Sequence, residues 1–270
     1  VMTDTNVNKV IFENKKAVGV ECLNEAGELV TINATKEVIL SSGAFGSPQI
    51  LLRSGVGPSE EILKHNIEHI HELPGVGKNL QDHIDYLSVH KYNSIELIGF
   101  SLKSIFYKFP LEILKYIFAK VGMFTSTVAE AGGFIKSSDE KNIPDLQLHF
   151  APAMVIDHGR TSVLGHGLSC HVCLLRPKSR GEVTLNSSDP LDDPLIDPKF
   201  LSHPDDVKDL VAGYKKMMSI LNKEPVAKYT SNHTQRPINI DDDKDIEQAI
   251  REDADTVYHP VGTCKMGYDD

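Results

Sequence analysis

The chain is 270 residues long, with 40% hydrophobic and 24% charged side chains and a formal net charge of -10. That length is enough to bury a sizeable core, and the composition is that of a globular protein rather than a disordered or fibrous one. The negative balance and the lack of a basic tail argue against a nucleic-acid surface, because phosphate backbones are bound by clustered Lys and Arg.

The first elements read as strands. Val10 and Phe12, then Val18, Val20 and Cys22, then Val30 and Ile32 recur with period two, and "ENKK" and "NEAGE" punctuate them as turns. A small antiparallel meander over residues 6–40 is expected. The opening "VMTDTNVNKVIF" reads as the middle of a strand, so the chain is expected to be a piece of a longer protein. Val38-Ile39-Leu40 reads as a short strand of a parallel sheet, buried on both faces. Ser47 as N-cap and Pro48 at the first helical position predict a short helix over Gln49–Arg53, ended by Ser54-Gly55. A second helix is predicted from Ser59 to His65. Strand, glycine-rich turn and helix N-terminus in that order let a backbone come close to a ligand, although the same order also serves plain packing.

His65 and His69 have i,i+4 spacing, but Asn66 and "IEHIHELPG" end the second helix before His69 and His71, and no carboxylate partner is obvious, so no metal site is assigned. "LPGVGKNLQDH" (73–83) is a loop with two glycines, a proline and polar groups able to fix a ligand. The longest apolar stretch, "LIGFSLKSIFYKFPLEILKYIFAKVGMF" (97–124), is interrupted by Lys103, Lys108, Glu112, Lys115 and Lys120, so it is not a membrane span. It is predicted to form two short helices around Pro110, packed on the body. The alternative is a helix lying on a membrane surface, suggested by lysines and aromatics at helical spacing.

From about residue 144 the pattern is antiparallel: "DLQLHF", "LSCHVCLLRP" and "GEVTLNSS", with "SRG" as a tight turn between the last two. The four cysteines are too few and scattered for a disulfide scaffold. Cys170 and Cys173 form a C-x-x-C, but on a strand residues three apart point to opposite faces, so they are assigned to packing. "HPDDVKDLVAGYKKMMSILN" predicts a long helix with Val207, Leu210, Val211, Tyr214, Met217, Met218 and Leu221 on one buried stripe. A last helix is expected over roughly 242–252. Sequons at Asn33, Asn186 and Asn232 lean towards a secreted origin. No internal repeat is seen.

Three stretches go beyond pattern. "GAFGSPQILLRSGVGP" (43–58), "LPGVGKNLQDH" (73–83) and "YHPVGTCKMG" (258–267) resemble, in order and spacing, hallmark segments of the glucose–methanol–choline (GMC) oxidoreductases. "RPKSRGEVTLNSSDPLDDPLIDPKFLSHPDDV" (176–207) is similar to that family's substrate domain, and the likeness covers essentially the whole chain. Within the family it looks most like insect glucose dehydrogenase-like members.

The resemblance implies an α/β (α+β) chain. A partial FAD/NAD(P)-binding domain would occupy 1–84, a substrate domain with an antiparallel sheet backed by helices 85–235, and a return to the FAD domain 236–270. It also implies FAD as cofactor, an alcohol or sugar as substrate, and a quinone-like acceptor or oxygen to take the electrons. His259 matches the family's proton acceptor, removing the hydroxyl proton as hydride leaves carbon for flavin N5. An imidazole with a pKa near ~6.5 suits that task. Val7 falls where family members contact the adenine through backbone. Gly43 and Ala44 fall where the backbone passes the cofactor, and Asn79, His83 and Tyr258 are expected near the flavin. His149 and Phe150 are assigned to packing rather than to the pocket. The family's G-x-G-x-x-G fingerprint and its second catalytic His or Asn do not occur in this chain, so FAD is expected to be held poorly by these residues alone. The rival readings are a non-catalytic relative acting as a binding or structural protein, and a membrane-associated carrier using 97–124.

Overall fold

A computed structural model describes residues 1–156, 159–161, 163–230 and 237–267. The sequon at Asn232 and the predicted boundary at 235–236 lie outside the described residues, except that the sequence resumes at 237. In chain order the strands and helices begin with β1 (Asn6–Glu13), β2 (Lys16–Leu23), β3 (Leu29–Asn33), α1 (Gly43–Arg53), β4 (Val56–Gly57), α2 (Ser59–Lys64) and β5 (His71–Glu72). Next come β6 (Ile84–Lys91), β7 (Gly99–Phe100), α3 (Phe109–Ala119), β8 (Ala131–Ile135), β9 (Leu146–Ala151) and β10 (Gly165–Leu174). The last are β11 (Glu182–Thr184), β12 (Leu195–Asp197), α4 (Pro204–Leu221), α5 (Asp243–Asp253) and β13 (Asp255–Thr256).

These elements gather into two compact units. The first comprises Val1–Asp82, Ser179–Ser202 and Tyr258–Asp270; the second comprises His83–Lys178 and His203–Val257.

In the first unit, period-two alternation makes β1, β2 and β3 an antiparallel meander, as expected. The outer edge of β1 is closed by Arg53 of α1 and by Ser54, the residue that caps its C-terminus. Arg53 donates from Nε to the Asn8 carbonyl (2.9 Å) and from Nη2 to the Val7 carbonyl (3.2 Å). Ser54 Oγ accepts the Val10 N–H at 2.8 Å and donates to the Ile50 carbonyl at 2.5 Å. Edge groups that would otherwise need water are thus paired within the unit. Leu52, Ile62, Val76 and Leu185 form a buried cluster beneath α1 and α2, each contributing about 1.5–3 kcal/mol of transfer free energy.

In the second unit, the main sheet runs β13-β6-β10-β9-β8, with antiparallel neighbours. α4 covers one face with the predicted stripe, and all seven residues named above are buried. Gly213 allows the close approach, since a Cβ there would sit 2.8 Å from Val172 and 2.9 Å from Leu146. The His203 ring caps α4 by accepting the Asp205 N–H, and Asp205 and Asp206 suit its N-terminal dipole. α5 begins as expected, one residue after its cap Asp242. Cys170 and Cys173 are buried thiols in β10. Burial, reinforced by Asp85, pushes the Cys170 thiol up to about 12.

Four expectations are corrected. Val38-Ile39-Leu40 form no strand, and Ile39 is 76% exposed, because a strand exists only with a ladder partner and none of the described residues supplies one. α1 starts at Gly43, so Pro48 lies inside the helix and not at its first position. β11 pairs with β12, so "SRG" is not a hairpin turn joining it to β10; Pro177 between them cannot donate to a ladder. Residues 104–119 form one helical run, a π turn over Ser104–Lys108 continuing into α3, and much of its apolar surface is exposed rather than packed. Pro110 fits because the Phe109 N–H reaches back to the Ser104 carbonyl, the wider spacing of a π turn. No helix among the described residues is long and apolar enough to cross a membrane.

Candidate functional site

The candidate site belongs to the first unit and is built from three stretches far apart in sequence. Residues 77–82 run between 181–183 and 259–263. On one side Leu80 and Gly181 exchange backbone hydrogen bonds of 3.0 and 2.8 Å, and Val183 N–H donates to the Gly77 carbonyl at 2.7 Å. On the other side Gln81 and Val261 exchange bonds of 2.9 and 2.8 Å, and Gly77 N–H donates to the Thr263 carbonyl at 2.9 Å. Asn79 Nδ2 adds a bond to the Gly262 carbonyl at 3.0 Å. Gly262 is required here twice over. Its φ is +99°, and a Cβ would lie 2.4 Å from the Asn79 carbonyl oxygen.

α1 meets this ribbon through a defect of its own. Pro48 has no N–H, so the carbonyl four residues earlier, at Ala44, lacks its helical donor. Thr263, only 2% exposed, supplies the missing hydrogen bond from Oγ1 at 2.5 Å. Gly43 opens the helix at φ +75°, with open space where a Cβ would project.

Together these pieces border an open cavity of about 640 Å³ lined by Gly43, Ala44, Asn79, Gln81, Arg180 and the Pro260–Lys265 segment. A second cavity, about 760 Å³, lies along the other side of α1 and is lined by Val7, Ser42, Gly46, Gln49 and Arg53 among others. Different faces of α1 therefore border the two cavities. Burial lowers the Arg53 guanidinium below its ordinary value, with Asp189 acting in the opposite direction.

Of the residues singled out in the sequence, Gly43, Ala44 and Asn79 line the first cavity and Val7 the second. His259 and Tyr258 lie at the start of the segment that borders the first cavity; both are exposed, and neither lines it. The backbone of His259 is fixed, its N–H donating to the buried Asp82 carboxylate at 2.9 Å. Tyr258 is held at φ +64°, a strained conformation for an aromatic residue. His83 falls in the second unit, where its carbonyl accepts the Val257 N–H. His149 and Phe150 are half-buried on β9, with the His149 ring edge-on to His171 at 6.3 Å. Among the described residues no group of three His, Cys, Asp or Glu side chains is placed to hold a metal. Sequence reasoning missed Arg180, Asp82 and Thr263. Arg180 sits in an ordinary-looking turn, and the other two act through backbone partners that no local pattern reveals.

Comparison with known proteins agrees with this architecture. The chain is 44% identical over its full length to an alcohol dehydrogenase [acceptor] of Pseudomonas putida, covering 49% of that protein. It is 36% identical to an oxygen-dependent choline dehydrogenase of Cronobacter sakazakii, covering 48% of it. The chain thus spans about half the length of the curated relatives it matches. A variant formate oxidase of Aspergillus oryzae RIB40, studied for its effect on FAD modification, superposes with a TM-score of 0.84 at 26% identity, covering 97% of this chain and 50% of that one. Two family models, both described as GMC oxidoreductase, match residues 1–85 and 177–270, which together make up well over half of the sequence. On this likeness of sequence, fold and segment order, the chain belongs to the GMC oxidoreductase family.

Proposed function

We propose that the chain is part of an FAD-dependent oxidoreductase that oxidises the CH–OH group of a small alcohol, with His259 as proton acceptor. The observation that carries this reading is the convergence of three family segments, the start of α1, the loop 77–82 and the ribbon 259–263, around a cavity of about 640 Å³. The cavity suits a large planar cofactor. Gly43, Ala44, Gly262, Thr263 and Cys264 bring backbone and small side chains to its walls beside the longer Gln81 and Arg180, and the missing Cβ at Gly43 leaves open space. Gly43, Ala44 and Asn79 would hold FAD on this side of α1, and the Val7 stretch would hold it on the other. When bound, FAD supplies the hydride acceptor.

The remaining chemistry falls to the chain. Asp82 fixes the backbone of residue 259, and an imidazole on that fixed backbone takes the hydroxyl proton as the carbonyl forms. A positioned base of this kind contributes about 10²–10⁴ in rate. The first unit is the cofactor side in this reading, and the second unit carries the substrate-binding sheet. The names of the relatives support an alcohol or choline-type substrate over a sugar. The [acceptor] dehydrogenase, at 44% identity, is compatible with a quinone-like electron acceptor.

The test is the His259→Ala variant of the full-length protein. Its visible flavin absorption should be retained, with alcohol-dependent bleaching slowed at least ~100-fold. Bleaching at the wild-type rate would refute the role of His259.

A further inference from the structure

Residues 101–125 serve none of the chemistry above, and their amphipathicity is inverted. A surface helix ordinarily turns its apolar stripe inward. Here the stripe facing the unit is polar. Ser104 is buried, with its hydroxyl bonded to the Ser101 carbonyl at 2.9 Å. Lys108 Nζ reaches the carbonyls of Ile95 and Leu97, the latter at 3.1 Å. The buried Glu112 carboxylate accepts Lys115 Nζ at 2.6 Å and the Met123 N–H at 2.8 Å. Only Phe109 adds apolar packing to this stripe, with its ring 5.7 Å from Phe100 and 6.4 Å from Phe124.

Turning the helix to bury its apolar side would break the bonds from Lys108 to the Ile95 and Leu97 carbonyls and from the Met123 N–H to Glu112, so the large side chains are committed outward. Leu102, Phe106 and Phe118 are 75%, 77% and 82% exposed, and Leu114, Ile117 and Val121 are more than half exposed beside them. A continuous patch of this kind marks a binding face. Its charge identifies the partner. In a chain of net charge -10, residues 101–125 carry four lysines and a single acid, Glu112, which is already paired with Lys115. Lys103 and Lys120 are exposed at the two ends of the apolar face. A second copy of the chain is disfavoured, because a two-fold contact would bring the same lysines together.

We propose that residues 101–125 form a monotopic anchor lying in the interface of an anionic lipid bilayer. The exposed phenylalanines and aliphatic residues enter the acyl boundary to a depth of about 5–10 Å, while the lysine ammonium groups snorkel to lipid phosphates. This proposal rests on the surface alone and not on the assignment of cofactor or base.

The full-length protein with its cofactor is floated with vesicles of pure phosphatidylcholine and with vesicles containing one-third phosphatidylglycerol. Recovery with the anionic vesicles should be at least ~10-fold higher, and it should fall as salt is raised. The double variant Phe106→Asp/Phe118→Asp should lose flotation while keeping the wild-type visible spectrum. Lys103→Glu/Lys120→Glu should reduce recovery on anionic vesicles to the neutral level. Phe118→Trp offers an independent readout that keeps the face apolar: its emission should shift to the blue with anionic vesicles and be quenched by lipids brominated near the headgroup. The proposal is overturned if the wild-type protein does not float with anionic vesicles, or if the double aspartate variant floats equally well. Without flotation, a dimer dissociated by Phe118→Asp would assign the face to a second copy. Slow amide exchange across 102–121 in a lipid-free monomer would instead assign it to the rest of the chain.

Discussion

Removing one hydroxyl should expose how the helix beside the cavity is held. Thr263→Val keeps the shape of the side chain but removes the donor that serves the Ala44 carbonyl at 2.5 Å. That carbonyl has no helical partner, because the residue four positions later is Pro48. A buried acceptor left unpaired costs about 1–3 kcal/mol. Ala44 is only half-buried, which puts the expected loss in the lower part of that range, about 1–2 kcal/mol, or roughly 2–8 °C in Tm for a domain of this size. Thr263→Ser keeps the hydroxyl and loses one methyl group, so it should cost less, about 0.8 kcal/mol or below. Pro48→Ala restores an N–H that can reach the Ala44 carbonyl. Thr263→Val should therefore cost about 1 kcal/mol less in that background. Urea unfolding of the four members of this cycle, in the full-length protein, measures the coupling. An equal cost in both backgrounds would refute the account of the helix.

Other outcomes follow from the site and its surroundings. Asp82→Ala frees the backbone of residue 259 and should lower kcat roughly tenfold, with KM and flavin content little changed, whereas Asp82→Asn, which keeps an acceptor oxygen, should fall less; steady-state kinetics decide. Hydrogen bonds from Lys199 and then Lys78 hold the Glu182 carboxyl down at about 2. Its stabilising effect is therefore complete above the unfolded value of ~4.3 and fades as pH falls from there towards 2. Glu182→Gln should accordingly cost about 1 kcal/mol at neutral pH after allowance for solvent screening, and the gap to wild type in urea melts should close in acid. In native protein at pH 8 a maleimide should modify Cys264, which is exposed, and spare Cys22, Cys170 and Cys173, which are buried. Mass spectrometry of digests reads this directly, and rapid labelling of Cys170 would contradict its burial.

The sequence disclosed most where a single period governs an element. The meander and the α4 stripe follow from alternation and from 3.6-residue spacing, and both form as those patterns require. It disclosed less where a local pattern was overruled by a distant partner. "GAFGS" has poor helix propensity, yet Gly43–Ser47 are helical, and the carbonyl exposed by Pro48 is satisfied by Thr263, 219 residues beyond Ala44. Val38-Ile39-Leu40 carries the composition of a buried strand without a neighbour to pair with among the described residues. For 101–125 the helical spacing was legible, but which face points inward was not. That choice depends on carbonyls at Ile95 and Leu97 and on the Met123 amide, all outside the helix.

The first unit is stitched from Val1–Asp82, Ser179–Ser202 and Tyr258–Asp270. During vectorial synthesis its opening meander leaves the ribosome long before the ribbon that completes the cavity wall. Two intervening stretches, His83–Lys178 and His203–Val257, which together make the second unit, are synthesised in the meantime. Closing such long loops is costly in entropy and slow, so the cavity is among the last features to form. A truncated or stalled polypeptide would carry most of the fold and none of the finished pocket.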